Sequence, residues 1–210
     1  MNFERVLVLA PHTDDGEFGC GGSVVRLIEE KSEVFYVAFS AAEKSVPPDF
    51  PKNILKEEVK EATAKLGIKE QNLILFEYEV RKFPSFRQKI LDDMIGLNNE
   101  IKPDVVFLPS TRDTHQDHKV ITEEGFRAFK RITMLGYEVP WNNLTFDTNA
   151  FIFLEERHIE RKLDSLNCYI SQLGRNYATA EFIRSLAITR GTQIGARFAE
   201  VFEAIRWVLK

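Results

Sequence analysis

The chain has no run of about 18 apolar residues, the length a membrane-spanning helix needs. Its start, Met1 to Arg5 followed by the short apolar run Val6 to Leu9, also lacks the longer apolar core of a signal peptide. Cysteine is scarce. Cys20 and Cys168 stand far apart in no metal or disulfide pattern, which excludes a disulfide framework and fits a reducing compartment. No long basic run is present and the net charge is only -4, so nucleic acid is not an expected partner. Internal repeats and low-complexity segments are absent. What remains is a chain of 210 residues with 44% hydrophobic content, enough for one buried core. It reads as a single domain over residues 1–210, soluble and cytoplasmic, with no membrane insertion and compatible with a homo-oligomer.

Histidine is the informative shortage: the chain has four, and their placement needs the element order. Val6 to Leu9, Val34 to Phe39, Asn72 to Phe76 and Val105 to Leu108 are short apolar stretches that suit strands buried on both faces. Helical spacing separates them. Phe18, Val24, Val25, Leu27 and Ile28 mark one helix, and Leu55, Val59, Ala62 and Leu66 a second, which stops at Gly67. A third is expected from Pro84 to Ile101, with the proline in its first turn. Alternation of strand and helix predicts an α/β fold, a mostly parallel central sheet with helices on both faces. A fourth helix would carry Ile121, Gly125, Phe129 and Ile132 on one face, followed by a polar-aromatic loop from Tyr137 to Asn143. Later come a strand at Ala150 to Leu154, a helix from Glu155 to about Gln172 and another from Ala178 to Thr189. Ala199 to Leu209 fits either period.

Three of the four histidines fall in two segments that follow predicted strands. Ala10 to Gly22 holds His12, Asp14 and Asp15 in a polar, glycine-rich loop after the first strand, and Pro109 to His118 follows the fourth. Open α/β sheets place ligand sites at the carboxyl ends of their strands. The segments share a spacing, His12-x-x-Asp15 and His115-x-x-His118, which puts each pair on one side of a helical turn. Two histidines and one carboxylate with an open fourth position hold catalytic zinc in several hydrolases. Taken alone, Pro11-His12-Thr13-Asp14-Asp15 equally fits a solvated turn capping the next helix. His158, among Glu155, Glu156, Arg157 and Glu160, is read as solvated.

Pro11-His12-Thr13-Asp14-Asp15 with Gly19-Cys20-Gly21-Gly22, and His115-Gln116-Asp117-His118 about a hundred residues later, resemble the PIG-L/LmbE-like zinc deacetylases. Glu58-x-x-x-Ala62-x-x-x-Leu66-Gly67, Tyr169 to Gln172, Arg190-Gly191 and Ala199 to Phe202 extend the likeness over nearly the whole chain. Gly16 stands where the family carries Glu, with Glu17 adjacent, a departure that bears on loop support. The resemblance implies a Rossmann-like fold and hydrolysis of an N-acetyl group from an N-acetylglucosamine-type sugar or sugar conjugate. It implies that His12, Asp15 and His118 bind zinc or ferrous iron, and that Asp14 is the general base. It also implies that His115 faces the substrate carbonyl, steadied by Asp117. A protonated His115 would then stabilise the oxyanion.

Around this core, Arg81, Lys82 and Arg87 are candidates to grip a phosphate on the substrate, against a solvated basic loop. Trp141 and Asn142 suit stacking on and hydrogen bonding to a sugar ring, against ordinary packing. Arg190 is a substrate-binding candidate from the resemblance alone. The glycine cluster suits close packing of helix on sheet better than a phosphate loop. Competing readings are a different metallohydrolase (a phosphoesterase or a non-sugar amidase) and a non-catalytic nucleotide- or sugar-binding protein.

Overall fold

A computed structural model describes residues 3–172 and 174–209. Among them, seven strands form one sheet in the order β3-β2-β1-β4-β5-β7-β6. These are β1 (Arg5–His12), β2 (Glu33–Ser40), β3 (Leu73–Leu75), β4 (Val105–Pro109), β5 (Thr133–Tyr137), β6 (Ala150–Leu154) and β7 (Phe198–Arg206). The first five run parallel, while β7 pairs antiparallel with both β5 and β6. The sheet is thus mostly parallel, as the alternation predicts.

Among the described residues six α-helices flank it: α1 (Asp15–Glu29), α2 (Ile54–Leu66), α3 (Arg87–Ile101), α4 (Gln116–Ala128), α5 (Glu156–Leu166) and α6 (Ala180–Thr192). Successive side chains of a strand point to opposite faces, and β1 divides accordingly. Val6, Val8 and Ala10 join a core built with α1 and α2, and Leu7 and Leu9 a second core built with α3 and α4. α5 packs on α1 and α2, and α6 on β7. No described helix is long and apolar enough to cross a membrane.

Several boundaries differ from expectation. Strand β1 continues through His12 and α1 begins at Asp15, so the expected loop from Ala10 to Gly22 shrinks to Thr13 and Asp14. Thr133–Tyr137 is a fully buried strand, where helical periodicity extended to Ile132 and a loop began at Tyr137. Buried on both faces, that segment has no period of its own to betray it. The helix expected to reach Gln172 stops at Leu166, and residues 198–206 are strand. Pro84 lies in a 3-10 turn, Phe83–Phe86, before α3.

Strand order puts β1 between β2 and β4, and the chain leaves it for β2 on one side while β4 lies on the other. At such a switch point the connections diverge and open a crevice. The β1–α1 turn and the β4–α4 loop border it.

Candidate active site

The two segments meet. His12 is the last residue of β1, and Asp14 and Asp15 begin α1. His115 is the N-cap of α4, so Asp117 and His118 lie in that helix's first turn. His12 Nδ1 lies 3.1 Å from Asp15 Oδ2, which lies 3.2 Å from His118 Nε2. The two ring nitrogens are 3.4 Å apart. These separations suit a tetrahedral site, because bonds of about 2.0–2.1 Å to zinc span edges of about 3.3 Å. A looser set, His12, His115 and His118, has donor atoms within 4.8 Å of one another. The carboxylate-containing set is tighter and leaves His115 free to face the cavity.

Buried carboxylates fix both rings. His118 Nδ1 is 2.7 Å from Asp113 Oδ2, and His12 Nε2 is 3.0 Å from Asp117 Oδ2. Each ring thereby directs its other nitrogen at the cluster, as carboxylate partners of metal-binding histidines do. Asp113 also accepts from the His115 backbone N–H, and Asp15 from that of His12. Asp113 had no sequence signal apart from its place in the loop. Asp117, fully buried, accepts from the N–H groups of Arg81 and Phe83 as well. Its carboxylate therefore supports His12 rather than His115, which is the correction to its expected role. His115 meets Asp117 only through the backbone, its Nδ1 accepting from the Asp117 N–H at 3.1 Å.

The charges are consistent with a site for a cation. Burial opposes a proton on His118, yet Asp15 and Asp113 raise its pKa to about 10. Burial likewise opposes charge on Asp15, but His118 and His12 hold its carboxyl well below the usual range. A cluster that draws a proton this strongly presents the negative field that a divalent ion would occupy. Burial, with Asp15 beside it, raises Asp14 to about 6. His115 shifts the other way, since burial and the neighbouring imidazoles lower its pKa. With Nδ1 accepting from backbone, the neutral ring carries its proton on Nε2. The lowered pKa favours a neutral His115 ring with its Nε2–H as the donor, whereas the resemblance implies a protonated ring.

Glu17 braces the turn from behind. Its carboxyl contacts the Tyr36 hydroxyl and lies 2.7 Å from that of Tyr169, and both tyrosines reach the Thr13 carbonyl, at 2.9 and 2.8 Å. Burial pushes Glu17 up to about 8, so at neutral pH it holds a proton to share with these oxygens. Gly16 donates its N–H to Tyr36 Oη at 3.1 Å, and a Cβ there would lie 2.5 Å from the tyrosine ring. Tyr36 thus occupies the space a side chain at residue 16 would need.

A cavity of about 310 Å³ opens over the cluster, at the small end of the ~300–1,000 Å³ typical of small-molecule sites. His12, Asp14, Asp15, His115 and His118 line its inner end, and Arg81, Trp141 and Asn142 also border it. The Trp141 ring stacks on Tyr177 at 3.8 Å and meets Phe18 edge-on. Asn142 is tied to the His115 loop, its carbonyl accepting from the Thr114 N–H and hydroxyl. Arg87 and Arg190 lie outside. Arg87 pairs with Glu124 and Glu123 on α4, and Arg190 with buried Glu138 after β5. A buried carboxylate holds each guanidinium, a pairing that neither the basic run around Arg87 nor the resemblance that singled out Arg190 foresees. Arg175 and Tyr177 border the cavity without a local motif to mark them, and Gln172, the last residue of the Tyr169 to Gln172 stretch, borders it too. His158 is 2% exposed rather than solvated, because it caps α5 and pairs with Glu29.

Comparison with known proteins gives a coherent set. The family model described as "PIG-L: GlcNAc-PI de-N-acetylase" matches residues 7–129. The uncharacterized deacetylase YaiS of Escherichia coli (strain K12) is 29% identical over 168 residues, covering 77% of this chain and 88% of that protein. Among solved structures, the N,N'-diacetylchitobiose deacetylase of Pyrococcus horikoshii superimposes with a TM-score of 0.79 at 23% identity, over 96% of this chain and 84% of that one. The 4-carboxy-2-hydroxymuconate hydratase GalB of Pseudomonas putida shares the fold at a TM-score of 0.73 and 15% identity, over 99% and 98% of the two chains. The fold alone therefore does not select the reaction.

Proposed function

The chain belongs to the PIG-L family, and from that premise we propose that it removes the N-acetyl group from an N-acetylglucosamine-type sugar or sugar conjugate. His12, Asp15 and His118 would hold the metal, with zinc favoured and ferrous iron accepted by the same nitrogen and oxygen donors. The observation that carries this reading is the convergence of three donor atoms at 3.1–3.4 Å beneath a cavity also bordered by Asp14 and His115.

A divalent ion bound there would supply Lewis acidity, polarising the amide carbonyl and lowering the pKa of the attacking water to about 7. Asp14, with a carboxyl raised to about 6, is basic enough to take the water proton yet acidic enough to pass it on to the departing amine. As the new carbon–oxygen bond forms, the His115 Nε2–H would donate to the carbonyl oxygen where negative charge develops, and that charge would collapse back into the carbonyl as the carbon–nitrogen bond breaks and the amine takes the proton from Asp14. Asp113 and Asp117 keep the His118 and His12 rings from turning. Trp141, stacked on Tyr177, offers an apolar face to a sugar ring, while Arg81, Asn142 and Arg175 present polar groups to its hydroxyls or to the attached group.

An acetate-release assay on zinc-loaded protein, run over free, nucleotide-linked and lipid-linked N-acetylglucosamine, tests the proposal. Acetate from at least one of these, abolished by a chelator and restored by zinc, is expected. Metal-loaded protein that releases none from any of them would sink it.

A further inference from the structure

The glycine cluster Gly19–Gly22 marks a break inside α1. Cys20 has φ -145° and ψ 17°, values foreign to a helix, and the segments before and after it are separate helical pieces. A break strands carbonyls at the end of the first piece and N–H groups at the start of the second, and here the whole stretch from Asp15 to Val25 is buried. Water is not available to satisfy them.

Two side chains from elsewhere do so. Lys162 on α5 donates from Nζ to the Phe18 carbonyl at 2.6 Å. Glu200 on β7 accepts from the N–H groups of Gly22 and Ser23 at 3.0 and 2.7 Å. Lys162 Nζ and Glu200 Oε1 also meet each other at 2.7 Å. The polarity is matched at both ends, with an ammonium at a helix C-terminus and a carboxylate at a helix N-terminus. The glycines leave room for them: a Cβ on residue 21 would lie 3.1 Å from Lys162 Cγ, and one on residue 22 would lie 3.2 Å from Glu200 Oε1.

Lys162 is 4% exposed and Glu200 7%. A buried ion pair seldom stabilises a fold beyond what apolar side chains of similar volume would do, so stability alone is a weak reason for this one. Its placement supplies another. The first piece of α1 is little more than one turn, too short to hold itself as helix, and it begins with Asp14 and Asp15. The His12 N–H to Asp15 bond ties its start, and Lys162 ties its end.

We propose that Lys162 and Glu200 are positioning residues, which hold the short first turn of α1 so that Asp15 keeps its place against His12 and His118. Neither lines the cavity, so they act through the backbone and not on substrate. The inference rests on those three residues being the metal donors, but not on the identity of the reaction.

The decisive variant is the double substitution Lys162→Met/Glu200→Gln, which removes both charges at similar volume and leaves neither one orphaned. Zinc affinity is measured on the metal-free protein by competition titration, alongside its thermal unfolding. The expected result is a metal-free protein that stays folded at the assay temperature but binds zinc at least about tenfold more weakly, the scale seen when support of a metal ligand is lost. Wild-type zinc affinity would overturn the proposal. So would a metal-free double variant that is unfolded at that temperature, because the pair would then serve the fold and not the site. The reversed pair, Lys162→Glu/Glu200→Lys, restores attraction but sets a carboxylate against the Phe18 carbonyl. It is expected not to recover zinc affinity, and full recovery would refute the capping role. Because zinc binding is read without substrate, loss of the deacetylase reading would leave this result standing.

Discussion

The inner end of the cavity and its mouth are built on different principles. At the inner end, His12, Asp15 and His118 come from a strand end and two helix starts; buried Asp117 and Asp113 hold the two rings, and the His12 N–H holds Asp15. At the mouth, Arg81, Trp141, Asn142 and Arg175 come from loops widely separated in the chain, held by stacking and by backbone contacts. Arg81 even sits at φ +67°, a conformation non-glycine residues seldom adopt, kept there by Asp117 and Gln116 bonding its N–H and carbonyl. Chemistry that must position atoms within fractions of an ångström uses regular elements and satisfied networks. Recognition that must suit one particular substrate uses loops.

Three substitutions sharpen that contrast. The largest effect is expected of Asp14→Asn, which should lower kcat by about 10²–10⁴ while zinc stays bound, as loss of a general base does. The same carboxyl sets the pH profile. It must be ionised to act, so kcat/KM falls as pH drops through its pKa, and because a bound cation favours the ionised form the acid limb should lie at or below about 6. An acid limb centred near 8, or an active Asp14→Asn protein, would remove Asp14 from that role.

Next comes Asp117→Asn. If its carboxylate supports His12, zinc affinity should fall about 10–100-fold, while kcat at saturating zinc changes much less. A large loss of kcat with affinity unchanged would return Asp117 to a direct role beside His115. The smallest effect is expected at the mouth. Trp141→Ala should raise KM a few-fold, since one stacked ring contributes about 0.5–1.5 kcal/mol beyond its buried area. A fall in kcat as large as that of Asp14→Asn would erase the distinction between the two ends.

The parts of the molecule governed by local pattern were legible in advance. The first four strands and first three helices announce themselves through continuous apolar runs and helical spacing, and His12, Asp15, His115 and His118 through a repeated interval of three. Thr133–Tyr137 escaped because a strand buried on both faces and the end of an apolar helix look alike along the chain. Arg87 was misleading for a related reason: its sequence neighbours do not reveal the buried Glu124 that pairs with it, while Arg190, a candidate from the resemblance alone, pairs with Glu138.

By itself, then, the order of residues marked His12, Asp15, His115 and His118 as candidate ligands and showed that strand and helix alternate, because spacing and periodicity depend on near neighbours. Tertiary structure alone decided that Asp117 serves His12, that Asp113 orients His118, and that the Asp117 N–H meets Nδ1 of His115. It alone also brought Lys162 and Glu200 from α5 and β7 to the break in α1. Most of those contacts join residues far apart in sequence, where no local periodicity carries information. Hydrogen-bond partners are chosen by distance in space, and burial makes that choice binding, because a polar group cut off from water must find another protein atom.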